Sequence, residues 1–209
     1  MNNKIYIQIG TNDGNDSFNK MIKKEYPYKT ILIEPNKLLN NKIYDNYNGI
    51  PNIYLENVAI TTNNESNVKL SIPKNDINGK SINGISYNDK HFSLIPMDDW
   101  GDDFNTIETI GMSFNELCKK YNVTDIYYLQ IDTEGYDSEI IKSIDFDNIN
   151  IETIKYENWG FGEDCFKRYG EDGKKYGINA IKTVTDILES KGYIIENLGE
   201  DTIAKKIKK

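Results

Sequence analysis

Ile7-Gln8-Ile9-Gly10-Thr11-Asn12-Asp13-Gly14 is the stretch on which the fold turns. The run leading into it, Lys4–Ile9, is rich in β-branched and aromatic residues, the composition of a strand. Gly10 to Gly14 break that run. Asp16 or Ser17 can then cap a helix with Phe18, Met21 and Ile22 on one face, at i, i+3, i+4 spacing. A turn between strand and helix points backbone N–H groups toward a polar or anionic ligand beside a helix N-terminus. Gly10 permits a tight turn and close approach, and Gly14 permits close packing or an unusual φ.

The same alternation continues downstream. Thr30–Ile33 is a second apolar run ending at Glu34-Pro35, a helical stretch lies near Lys37–Asp45, and Ile53–Ile60 reads as a third strand. The order β-α-β-α-β implies parallel strands with right-handed crossovers. Val68–Ile72, Thr106–Met112, Ile126–Ile131 and Ile151–Tyr156 read as further strands, and Phe114–Tyr121, Asp137–Ser143 and Ala180–Ser190 as helices. Gly192–Ile195 and Thr202–Ala204 predict a closing antiparallel hairpin. Two segments, 73–103 and 160–177, show no period; gaps of that length belong to functional or mobile loops.

The composition sets outer bounds. At 209 residues, 38% hydrophobic and 28% charged, residues 1–209 suit one globular domain with a sizeable core. A net charge of −8 disfavours nucleic acid and anionic membranes as partners. The basic end Ala204–Lys209 reads as a solvated tail. No stretch approaches roughly 18 apolar residues, and no signal peptide is recognised. Two cysteines, Cys118 and Cys165, suit free thiols in a reducing compartment, so a soluble cytoplasmic protein is expected. The excess of Asn, Lys, Ile and Tyr reflects AT-rich coding.

Two more features carry chemistry. Glu34 closes the second strand about 20 residues past the glycines, where an acid can accept both hydroxyls of a ribose. The turn is not G-x-G-x-x-G, which weakens a dinucleotide reading. Leu129-Gln130-Ile131-Asp132-Thr133-Glu134-Gly135 ends a strand in two acids and a glycine, at the edge where doubly wound sheets bind ligands. Asp132 could hold a ligand ammonium, hold a metal or orient a hydroxyl, while Glu134 could cap the following helix.

IQIGTNDG, LIEPN, NVAI and LQIDTEGYDSEII, in this order and spacing, resemble the FkbM-type methyltransferase family. The resemblance runs from Lys4 to about Glu157 and includes the closing hairpin. It implies an α/β, Rossmann-like class I methyltransferase fold: a seven-stranded, mostly parallel sheet with an antiparallel C-terminal strand and helices on both faces. It also implies S-adenosylmethionine as cofactor and a hydroxyl acceptor on a sugar or glycosylated small molecule. By position, Gly10, Thr11, Asn12, Asp13 and Gly14 would line the methionine end of the cofactor. Glu34 and Pro35 would meet the ribose, Asn57, Val58 and Ala59 the adenine, and Asp132 the transferring methyl. Gln8 stands where the family usually has Asp, and could reach the cofactor amine through its carbonyl.

A sugar hydroxyl is a weak nucleophile, so a base or a metal should assist. His91, the one histidine, is the candidate base, in a segment expected to fold over the acceptor. A competing arrangement has Asp132, Glu157 and Asn158 holding Mg²⁺, which the family resemblance does not require. Trp100, Trp159, Phe161 and Tyr169 could stack on a sugar ring or pack as core. A nicotinamide-dependent oxidoreductase and a non-catalytic S-adenosylmethionine-binding module are the alternative functions. A homo-oligomer stays open.

Overall fold

Successive residues of a strand point to opposite faces, and in β1 (Ile5–Ile9) both faces are covered. Ile7 and Ile9 join Ile31 and Ile33 in one core, whereas Tyr6 packs with Phe18, Ile22, Leu32, Ile43 and Tyr47 on the other side. Strands covered on both faces read as continuous apolar runs, the mark of a parallel sheet. The computed structural model describes residues 4–73, 81–82, 85–86, 92–97, 104–162 and 165–207.

In chain order, β1 is followed by α1 (Ser17–Glu25), β2 (Lys29–Ile33), α2 (Asn40–Asn46) and β3 (Ile53–Glu56). Next come β4 (Ala59–Thr61), β5 (Glu65–Pro73), β6 (Ser81–Ile82), β7 (Ile85–Ser86) and β8 (Phe104–Ser113). Then follow α3 (Phe114–Lys120), β9 (Asp125–Ile131), α4 (Asp137–Ser143) and β10 (Asn150–Glu157). The chain closes with α5 (Gly173–Tyr176), α6 (Ile178–Ser190), β11 (Tyr193–Asn197) and β12 (Asp201–Lys206). The main sheet has seven strands in the order β11-β12-β10-β9-β1-β2-β3. The five consecutive strands β10-β9-β1-β2-β3 are parallel; β12 runs antiparallel to both β10 and β11. This is the expected mostly parallel sheet with an antiparallel last strand. α1 and α2 cover one face, and α3, α4 and α6 supply Phe114, Leu117, Ile140, Ile141, Val184 and Leu188 to the other.

Two expectations change. The run Ile53–Ile60 is not one strand. The Glu34 N–H reaches the Glu56 carbonyl, and the Asn57 amide turns back onto the Glu34 carbonyl (2.8 Å). The chain therefore leaves the main sheet, and Ala59–Thr61 pairs with β8 in a separate three-stranded sheet, β4-β8-β5. The C-terminal stretch from Ala204 is not a tail as far as Lys206: Ala204 is core in β12, and Lys206 reaches the Asn150 side chain.

Asp16 both starts α1 and anchors β1. Its Oδ1 accepts the Asn19 N–H (2.8 Å) and its Oδ2 accepts the Gln8 amide (2.6 Å). Asp16→Ala is expected to lower stability by roughly 2 kcal/mol, about half from the lost cap and half from the orphaned amide. For a chain this size that is a fall in Tm of about 4–8 °C. Asp16→Asn keeps the cap and should recover about half of it; thermal melts of both variants decide.

Candidate functional site

The C-terminal ends of β1, β2 and β9 lie side by side, because parallel strands all end on one rim. The Gly10 and Thr11 N–H groups bond the Ile33 carbonyl, and the Asp132 N–H bonds the Ile9 carbonyl. Gly10, Glu34 and Asp132 thus meet around one cleft. Its acids are Glu34, Asp132 and Glu134; its apolar wall includes Val58, Ala59, Ile60, Leu70, Phe92 and Leu94. Asn12, Pro35, Thr133 and Tyr136 complete the polar and aromatic lining.

The glycine turn works differently from the sequence expectation. Its backbone N–H groups are taken by the protein itself. Asn12 N–H donates to Glu34, Asp13 N–H to the Asn12 side chain and Gly14 N–H to the Thr11 carbonyl. Thr11, Asp13 and Gly14 lie outside the cleft lining; Gly14 packs against Tyr47, and the Asp13 carbonyl accepts the Asn46 amide. Gln8 is fully buried on the α1 side of the sheet, its amide on Asp16 and its carbonyl under the Tyr47 hydroxyl (3.4 Å). Since Ile9 lines the cleft, its neighbour Gln8 must point the other way. Asn57 likewise serves structure: it exchanges amide bonds with Asn40, while the next residues, Val58 and Ala59, line the cleft.

Glu34 is buried, and each of its oxygens accepts one backbone N–H: Asn12 on Oε2 (2.8 Å) and Asn36 on Oε1 (2.9 Å). Burial pushes its carboxyl up to about 7, against the downward pull of those two bonds. Asp132 opens into the cleft above a crowd of acids. The residue keeps exposed surface, so removal of water acts on its carboxyl only in part; that, then the charges of Asp137 and Asp201, raise it, with Lys155 opposing. Glu157, one step beyond the Ile131–Tyr156 pair, is half-buried behind this rim and does not line the cleft. Its Oε2 is buried without a hydrogen-bond partner, and burial plus Asp132 and Glu134 raise its carboxyl to about 10. The residue at the N-terminal cap position of α4 is Tyr136, and Glu134 two residues earlier holds a left-handed φ of 54°. Such backbone strain clusters at functional sites.

Segment 92–97 supplies the wall that sequence reasoning missed. Ser93 pairs with Ser71 of β5 through both backbone bonds, and its hydroxyl donates to the Glu134 carbonyl (2.7 Å). Tyr169 and Arg168 hold the Pro96 and Met97 carbonyls (3.0 Å each), so the two irregular segments meet beside the cleft. Phe92 and Leu94 stand two apart, the spacing of a strand face, and that was the available signal. His91 and Trp100 lie outside the described residues. Phe161 is core, stacked on Tyr156, whereas Trp159 is exposed. Neither cysteine is in a disulfide; burial pushes the Cys118 thiol up to about 12. Among the described residues no three His, Cys, Asp or Glu side chains converge as a metal site, and the Asn158 amide nitrogen is taken by Thr202 (2.6 Å). Among them, too, no helix is long and apolar enough to cross a membrane.

A model of the FkbM methyltransferase domain matches residues 8–195. The chain belongs to that family. The matched span runs from β1 into β11 and so contains every corner of the cleft. No curated protein sequence matches this FkbM-family chain. Among solved structures it is similar to a methyltransferase FkbM from Methylobacillus flagellatus KT, at 10% identity and TM-score 0.49, covering 98% of this chain and 43% of that one. A precorrin-6y C5,15-methyltransferase from Geobacter metallireducens GS-15 is similar at 11% identity and TM-score 0.46, covering 99% and 82%. Aeropyrum pernix fibrillarin, solved with natively bound S-adenosyl-L-methionine, is similar at 8% identity and TM-score 0.43, covering 99% and 67%. Likeness at this level says nothing about acceptor chemistry.

Proposed function

We propose that this FkbM-family methyltransferase uses S-adenosylmethionine to methylate a hydroxyl of a sugar or glycosylated small molecule. The observation that carries the reading is the meeting of Gly10, Glu34 and Asp132 on one rim around a single cleft. The residues present fit the cofactor. An ionised carboxylate has about four acceptor sites, and Glu34 uses one on each oxygen for backbone, leaving one on each for a ribose diol. Val58, Ala59 and Ile60 offer an apolar wall to an adenine, and Glu134 offers negative charge to a cationic amino-acid end.

When bound, the sulfonium supplies an activated methyl for in-line displacement. The protein's part is alignment, for which orientation is worth on the order of 7–11 kcal/mol. Glu34 and the apolar wall hold the nucleoside end. Asp132, which lines the cleft, is placed to accept a proton from the acceptor hydroxyl. Mg²⁺ is no part of this reading.

Calorimetry with S-adenosylhomocysteine and with NAD tests it, followed by transfer of labelled methyl to a panel of sugars and glycosides. Binding of the homocysteine nucleoside without NAD binding, then label in an ether of the acceptor, is expected. NAD binding in its place would restore the oxidoreductase alternative. Nucleoside binding with no transfer to any acceptor would favour the non-catalytic module.

Glu34 also sets a pH dependence. Its folded carboxyl titrates near 7 against an ordinary 4.5. As pH rises through that window the unfolded chain gives up its proton first, so the contribution to stability falls between 4.5 and about 7. Binding runs the other way, because a ribose diol donates to the ionised form. Affinity for S-adenosylhomocysteine should rise between about pH 6 and about pH 8 and level off above. Glu34→Gln should flatten that rise; a wild-type profile already flat would contradict the assignment.

A further inference from the structure

Asp137 is fully buried and forms no part of the cleft lining, yet it is an acid. Its Oδ2 accepts the backbone N–H (3.2 Å) and the hydroxyl (2.6 Å) of Thr133, and its Oδ1 accepts the backbone N–H of Glu157 (3.2 Å). Every hydrogen bond it accepts from these residues comes from a neutral donor. Burial drives its carboxyl up, and the three hydrogen bonds together with its own backbone N–H draw it back down. A buried carboxylate held only by neutral donors is an expensive way to fill space, so its bonds need a reason.

The reason lies in where the donors come from. The β9–β10 ladder ends at the Ile131–Tyr156 pair. One residue further, β9 presents Asp132 and then Thr133 to the cleft, and β10 ends at Glu157. Asp137 takes an N–H from each side of this gap. It continues the tie between the two strand ends past the point where their backbones stop pairing. The opposite side of the same loop is held by Ser93 on the Glu134 carbonyl and by Phe166 packed on Gly135, where a Cβ would come within 2.7 Å of the ring.

We infer that Asp137 is a positioning residue: it clamps Thr133 to the end of β10 and thereby sets where Asp132 and Thr133 stand in the cleft, without touching the occupant. The inference rests on the reading that the cleft takes S-adenosylmethionine. A purely structural role for Asp137, filling space and stabilising the first turn of α4, would change stability and leave affinity alone.

The test uses the full chain with S-adenosylhomocysteine as probe. Dissociation constants come from calorimetry, and the folded fraction from circular dichroism on the same samples. Asp137→Asn turns one acceptor into a donor facing an N–H, and should weaken binding about tenfold per folded molecule. Thr133→Val removes only the hydroxyl bond and should weaken it by about threefold to fivefold. Combining them should weaken binding no further than Asp137→Asn alone, because both break the same clamp. Ser138→Ala, a fully buried neighbour whose hydroxyl has no partner, should bind within about twofold of wild type. Wild-type affinity in both Asp137→Asn and Thr133→Val would overturn the inference, as would a loss that vanishes once folded fraction is taken into account. If Asp137→Asn does not fold, Thr133→Val decides alone: unchanged affinity overturns the clamp. Wild-type protein that binds no S-adenosylhomocysteine sinks the cofactor reading, and the clamp with it.

Discussion

Gly10→Ala is expected to be severely destabilised. A Cβ at Gly10 would sit 1.7 Å from the Asp132 carbonyl oxygen and 2.8 Å from its carbon, in a residue whose φ is +79°. Neither side can retreat. The Asp132 N–H is bonded to the Ile9 carbonyl, and the Gly10 and Thr11 N–H groups to the Ile33 carbonyl. The left-handed φ alone costs about 1 kcal/mol for alanine. Prying β9 from β1 adds to it, for a total of roughly 4 kcal/mol or more, against a total stability of about 5–15 kcal/mol. Gly14→Ala is the comparison. It shares a positive φ (+74°), but its new methyl would meet only the edge of the Tyr47 ring at 3.0 Å. Its loss should be roughly 1–3 kcal/mol. Urea unfolding of both variants decides; equal midpoints for Gly10→Ala and wild type would refute the packing argument.

Glu34→Ala should remove most affinity for the nucleoside. On the proposed function, each ribose hydroxyl makes a charge-assisted bond worth about 1.5–3 kcal/mol to this carboxylate. Losing both corresponds to an affinity loss of about a hundredfold or more. The variant also leaves the Asn12 and Asn36 N–H groups without their acceptor, so stability should drop by about 1–3 kcal/mol. Glu34→Gln separates the two effects. Its remaining carbonyl can serve only one of the N–H groups, so the fold should recover in part while affinity stays low. Calorimetry with S-adenosylhomocysteine alongside thermal melts gives both readings. Glu34→Ala with wild-type affinity would place the nucleoside elsewhere.

The strands of the main sheet were readable because each carries its pattern locally. Ile5–Ile9, Lys29–Ile33 and Asp125–Ile131 are apolar runs closed by Gly10, Glu34 and Asp132. The split at Asn57 was not readable: an apolar run says that a segment is buried, not which sheet receives it. The orientation of Gln8 could have been inferred from Ile9 by period-2 alternation, but family position alone suggested a ligand contact. Phe92 and Leu94 were hidden in a stretch without period, since they join the cleft through Ser71 and Glu134, which are distant in sequence.

The residues alone determined that parallel strands would bring the glycine turn, Glu34 and Asp132 to one edge, because strand period and turn chemistry act over a few neighbours and right-handed crossovers align the strand ends. Only the tertiary structure decided which groups at that edge are spent on the protein and which face the cleft. The bonds of Asn12 to Glu34 and of Asp137 to Glu157 join segments 22 and 20 residues apart. Whether a polar atom keeps a free lone pair depends on what packs against it, and that is a property of the folded chain.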